Sequence, residues 1–170
     1  SLLKLSGLSG EEINSFAVFW ADLELERKQE TLARLGEFSE DNIELDFTAV
    51  FLTCLDDDDQ EVRELAAQSL WECEDRIVIR PLISLLNHDP SAKVRAAVAT
   101  TLGKFADIAQ TGKLLKRDAE RVREALLSVM SLEYEEPDVR RRAMESVASF
   151  DSPDIEHIIL QAYCSADLKL

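Results

Sequence analysis

The stretch 62–73 reads VRELAAQSLWEC, and it recurs twice without gaps, as VRAAVATTLGKF at 94–105 and VRRRAMESVASF at 139–150. Each copy opens with Val-Arg, then places a small or β-branched residue fifth, an aliphatic residue ninth and an apolar residue twelfth. That spacing keeps to one face of an α-helix. An acidic turn precedes each copy: Asp56–Asp59, Asp89-Pro90 and Glu136-Pro137-Asp138. Before each turn lies another amphipathic segment. The unit is therefore helix, short acidic turn, helix. Copies begin 32 and then 45 residues apart, the period of an α-solenoid of stacked antiparallel helix pairs. One pair cannot bury both of its apolar faces, so pairs stack and share a core.

The rest of the chain fits the same frame. Ser9 and Glu12 form a capping-box pattern ahead of Ile13, Phe16, Ala17, Phe19, Trp20 and Leu23. Leu25, Leu32 and Leu35 continue a stripe up to Gly36, which stands where a C-cap glycine belongs. Asp41 is expected to start a third helix with Ile43, Phe47, Val50, Phe51 and Cys54 on its inner face, and Asp59 to cap a fourth through Val62, Ala66, Leu70 and Cys73. RIVIRPLISLL opens with a β-branched run, but Ile79, Leu82, Ile83 and Leu86 repeat at helical spacing, with Pro81 at a first turn or a kink. Residues 106–117 read as an irregular insertion, followed by helices near 118–133 and 138–150 and a last one from about Pro153. No segment alternates with period two, so no sheet is expected.

The acidic turn, the Val-Arg pair and the ending TTLGKF (100–105) resemble the HEAT-repeat family. The likeness is nearest to the short HEAT-like repeats of phycobilisome-lyase-type proteins. It covers roughly residues 40–170, with 1–38 as a degenerate N-terminal cap pair. It implies an all-α, right-handed superhelical solenoid forming a single domain over 1–170. The helix after Pro153 looks like the first half of a further repeat with nothing to cover Ile155, Ile158, Ile159 and Tyr163. The chain therefore reads as part of a longer solenoid.

Composition narrows the function. The 170 residues are 46% hydrophobic, with five Gly and four Pro, which suits a folded core and excludes a collagen-like or disordered chain. No apolar run is long enough for a transmembrane helix, and SLLKLSGLSGEE turns acidic too soon for a signal peptide. Cys54, Cys73 and Cys164 lack metal or disulfide spacing and read as free thiols, which favours the cytoplasm. The net charge of −15 lies in residues 1–75, which hold 20 acids and 5 bases; residues 76–170 are balanced. Such a chain repels nucleic acid at long range. A local anion contact stays open over 93–123, where Lys93, Arg95, Lys104, Lys113, Lys116, Arg117, Arg121 and Arg123 gather.

Chemical motifs are sparse. Asp56–Asp59 lacks the Gly and Glu of an EF-hand loop and reads as a helix-capping turn. His88 and His157 belong to no HExxH, and Glu156-His157 reverses the repeated His-Glu pairs by which HEAT-like deoxyhypusine hydroxylases hold iron. There is no phosphate-binding Gly-rich loop and no GxSxG. No catalytic residue, cofactor or metal is assigned. In HEAT-like proteins the arginine equivalent to Arg63, Arg95 and Arg140 usually bonds an acidic turn of its own or the adjacent repeat.

The resemblance also implies that second helices line the concave face. The residues projecting there are Glu64, Gln68, Trp71 and Glu72, then Ala96, Thr100 and Lys104, then Arg141, Glu145 and Ser149. The acidic start of that row argues against the basic face that HEAT-like alkylpurine DNA glycosylases need. The row suits a protein or peptide partner; Trp71, in the place of Gly103 and Ala148, either fills a gap between repeats, the favoured reading, or faces the groove as an anchor. The expectation is a non-enzymatic interaction scaffold. The alternative is a bilin-lyase-like tetrapyrrole chaperone or transferase, holding its acidic ligand through Arg95, Lys104 or Arg141.

Overall fold

A computed structural model describes residues 2–150 and, beyond them, Ile155, His157, Ile158 and Leu160. The described residues are helical with no strand, in the order α1 (Gly10–Ala21), α2 (Leu25–Asp41), α3 (Thr48–Cys54), α4 (Gln60–Ser69), α5 (Ile79–His88), α6 (Ala92–Gln110), α7 (Lys116–Ser131) and α8 (Pro137–Val147). The chain divides into two compact units, residues 1–82 and 83–170. In the first, α2 packs on α4, α3 on α4 and α1 on α3. In the second, α8 packs on both α6 and α7, and α6 on α7.

Aspartates start many of these helices. The carboxylates of Asp46, Asp57, Asp59, Asp75 and Asp89 each accept a hydrogen bond from the backbone N–H two residues on, at 2.8–3.0 Å. This local turn satisfies donors that a helix start leaves orphaned. Asp59 caps α4 as expected, accepting from Glu61 and Val62. Asp75 starts a short 3-10 helix, Arg76–Val78, that leads into α5 with Pro81 in its first turn. Pro137 opens α8, where a missing N–H costs nothing. The capping box of α1 forms, with Ser9 N–H donating to Glu12 at 2.8 Å.

The repeated positions form the core. Val62, Ala66 and Leu70, Val94, Val98 and Leu102, and Val139, Ala143 and Val147 are all fully buried. Each large aliphatic side chain among them contributes about 1.5–3 kcal/mol by leaving water.

Five expectations are corrected. Gly36 does not end a helix: α2 runs on to Asp41, and a Cβ on Gly36 would stand 3.1 Å from Ser69 Oγ on α4. Its role is close approach of two helices. Asp41 ends α2 rather than starting α3, which begins only at Thr48, so Ile43 sits in the connection and is 97% exposed. Phe19 is also exposed, because α1 buries only the side carrying Phe16 and Trp20. Residues 106–110 are not irregular: they continue α6, burying Ala106 and Ile108, and the chain turns only at Gly112, whose φ of +72° suits glycine alone. Toward the end of the chain Ile155 is buried rather than exposed, and Ile158 is half-buried. Ile159, Tyr163 and Cys164 lie outside the described residues.

Candidate functional site

The arginine of each Val-Arg pair faces inward and ties down backbone. Arg63 donates to the carbonyls of Asp57 and Asp58 at 2.8 and 2.9 Å. Arg95 donates to the carbonyl of Asp89 at 2.6 Å and grips Glu135, ahead of the next copy, with Nε and Nη2 at 2.9 and 2.6 Å. Arg140 donates to the carbonyl of Met130 at the end of α7. Hydrogen bonding to Glu135 raises the pKa of Arg95. Burial alone would raise the Glu135 pKa, but the hydrogen bonds from Arg95 and the Glu136 N–H outweigh it and hold the carboxyl below its ordinary value. These arginines are structural.

The first unit contains an equivalent that has no Val-Arg pair. Trp20 Nε1 and Lys28 Nζ both donate to one oxygen of Asp57, at 2.8 and 2.9 Å. Burial alone would raise the Asp57 pKa; the hydrogen bonds from Lys28, the Asp59 N–H and Trp20 leave it lowered. Lys28 reaches forward from α2 to the acidic turn before α4 as Arg95 reaches from α6 to the turn before α8. Gly36 of α2 meets Ser69 of α4, and Gly103 of α6 meets Ser146 of α8. With these pairs in register, RKQETLARLGEF (27–38) aligns with VRAAVATTLGKF (94–105). α2 thus stands to α4 as α6 stands to α8. Its signal in the sequence is Leu-Gly-x-Phe, with Lys28 at the arginine position.

That close approach of α2 to α4 shapes a groove of about 200 Å³ in the first unit. Ala33 and Gly36 of α2, Leu65 of α4 and Trp71 just beyond α4 supply its apolar lining, and Glu37, Glu40 and Glu72 stand along it with Gln68. Trp71 is 39% exposed on the 3-10 helix Leu70–Glu72 that follows α4. A neighbouring hollow of about 250 Å³ shares Ser69 and Glu72 and adds Ile43, Asp46, Cys73, Glu74 and Asp75. The residues lining both hollows include six carboxylates and no Lys or Arg.

The groove brings together three expected residues, Gln68, Trp71 and Glu72. Glu64 is half-buried on α4, accepting from Gln68 at 3.2 Å. The other four are in the second unit. Thr100 bonds back to the carbonyl of Ala96, itself buried. Lys104 is half-buried on the same helix. On α8, Arg141 pairs with Glu145 at 2.8 Å and with Asp138. Arg95 and Arg141, two cations implied for an acidic tetrapyrrole, are therefore already held by carboxylates. Ion pairs also engage Arg117 and Arg121 with Asp118, and Arg123 with Glu120. The wall contributed by α2 was missed in the sequence because Gly36 reads there as a helix end.

Cys54 is buried and Cys73 half-buried, both free thiols, and burial pushes both pKa values up. Among the described residues no cluster of His, Cys, Asp or Glu is arranged to hold a metal ion. No helix there is long and apolar enough to cross a membrane.

A chain of helices in which α2 stacks on α4 in one unit and α6 on α8 in the other, with Lys28, Arg63 and Arg95 reaching to acidic turns, is a helical-repeat protein. Residues 48–131 are similar to the family model described as HEAT repeats. The match is to HEAT repeats in general and does not extend to the phycobilisome-lyase type. No curated protein matches the chain.

Proposed function

We propose that the protein is a non-enzymatic scaffold that presents a preformed helical surface to a protein or peptide partner. The observation carrying this reading is the α2–α4 groove, which holds a part-exposed Trp71 beside Gln68 and Glu72. Trp is favoured at binding hot spots because it brings large apolar area at small entropic cost. Preorganisation by Gly36, Ser69 and the Asp57 network keeps the walls in place before binding. The free thiols Cys54 and Cys73 suit a reducing compartment, and the cytoplasm is the location we assign.

The test is an affinity capture from source-cell lysate, read by mass spectrometry and repeated with the purified candidate partner. Glu64→Lys combined with Trp71→Ala is the matched control, its fold checked by circular dichroism. A protein bound by the native chain and released by the folded control supports the scaffold. Equal capture by both, or a coloured small molecule in place of a protein, overturns it.

A further inference from the structure

From the α2–α4 groove we infer the partner's chemistry: a basic segment that places a bulky apolar side chain against Trp71 and its Lys or Arg residues along Glu37, Glu40 and Glu72. The inference rests on the scaffold reading and deepens it. Its first support is charge. The groove and the adjoining hollow are lined by Glu37, Glu40, Asp46, Glu72, Glu74 and Asp75, with no base among their lining residues. An acidic partner would meet like charge along both walls and be disfavoured. A neutral one would leave those carboxylates partly desolvated with nothing in return.

The second support is the division of labour among the acids. Asp46, Asp57, Asp59, Asp75 and Asp89 are committed to helix starts, through the backbone hydrogen bonds they accept, which leaves Glu37, Glu40, Glu72 and Glu74 among the lining acids. Glu37 and Glu40 sit exposed on the outer turns of α2, three residues apart and so on neighbouring positions of one helix face. They are placed to meet cations from outside. The third support is the apolar lining: Ala33, Gly36 and Leu65 are small or flat beside Trp71, leaving room for a Leu, Met or aromatic side chain. Apolar contact sets the affinity, and the surrounding acids set orientation and on-rate.

The test uses the full chain and a fluorescein-labelled Lys/Arg-rich peptide with a central Leu-Leu pair. Its partners are the same peptide with Glu for every base and one with Ala for both leucines. Trp20 is buried and Trp71 is not, so a blue shift in Trp emission on binding reports the groove. The expected result is saturable anisotropy and a blue shift absent from Trp71→Phe. Affinity should weaken roughly tenfold in Glu37→Lys/Glu40→Lys and roughly tenfold in Trp71→Ala, and fall as salt rises. Binding unchanged in the folded groove variants would mean non-specific attraction to the acidic half and overturns the inference. So does equal binding of the Glu peptide or the Ala peptide, or no binding at low salt. Concentration-dependent self-association abolished by the groove variants overturns it too, by making the occupant a second copy. None of these outcomes touches lysate capture of a partner lost in Glu64→Lys/Trp71→Ala, so the scaffold reading stands or falls separately.

Discussion

A cation on one second helix gripping a carboxylate ahead of the next is a device that this chain uses twice, with different side chains. Arg95 takes Glu135 with two parallel N–H donors, while Lys28 offers Asp57 a single point charge and shares it with Trp20. Arg is the better choice where a carboxylate is gripped in a plane. Arg95→Lys should therefore not be silent, and Glu135→Gln should cost about 1.5–3 kcal/mol, the worth of hydrogen bonds to a charged group. Urea unfolding at neutral pH checks it. Both acids have folded pKa values below their unfolded ones, near 4. Their stabilisation is complete above the unfolded values and is lost as pH falls through the folded ones. The urea midpoint of the native chain should thus drop as pH goes from about 5 toward 3, and Asp57→Asn/Glu135→Gln should show a flatter profile in that window. Parallel profiles would show that the two carboxylates do not carry the acid sensitivity.

Between elements, the decisive contacts are two glycines facing two serines. A Cβ at Gly103 would lie 2.6 Å from Ser146 Oγ and 3.0 Å from Ser146 Cβ, and that hydroxyl is already bonded to the carbonyl of Ala99. Overpacking of this kind costs about 1–3 kcal/mol, against about 1 kcal/mol regained in helix propensity. Gly103→Ala should lower the melting temperature, and adding Ser146→Ala should restore part of the loss. At Gly36 the added Cβ meets only Ser69 Oγ, at 3.1 Å. Gly36→Ala should stay within about 1 kcal/mol of native, because a small shift of one hydroxyl offsets the propensity gain. Thermal melts of the three variants separate the cases. The same pair shows what the sequence could reveal. The Val-Arg copies were legible, because burial repeats at helical period and Asp59 marks its own helix start. Gly36 was not, since a glycine after a Leu stripe signals a helix end equally well. Only the partner helix, through Ser69, decides that it is a contact point. The end of α6 was hidden for a related reason: Ala106 and Ile108 continue the stripe past the repeat's boundary, and the true stop is Gly112. The groove followed the same fate, half legible on α4 and half lost on α2.

Across the whole chain, charge and fold are out of balance. Residues 1–75 hold 20 acids and 5 bases, and the groove acids Glu37, Glu40 and Glu72 belong to that half. A compact body with such an excess works against its own repulsion. The excess is tolerable because several of the aspartates cap helices and Asp57 is paired with Lys28, but the exposed glutamates repel one another. Salt acts on the two populations unequally. Exposed charges are screened within about 8 Å at physiological ionic strength, whereas part-buried pairs such as Arg95–Glu135 and Lys28–Asp57 are screened less. Added sodium chloride should therefore raise the melting temperature of the free protein, and Glu37→Gln/Glu40→Gln should raise it at low salt and flatten its salt response. A melting temperature that falls with salt would mean that surface ion pairs outweigh repulsion, and the acids along the groove would then cost the fold nothing. If it rises as expected, the chain keeps carboxylates on α2 that its own stability opposes. Charge retained against stability is explained by what it binds, and a basic partner should then stabilise the protein more at low salt than at high.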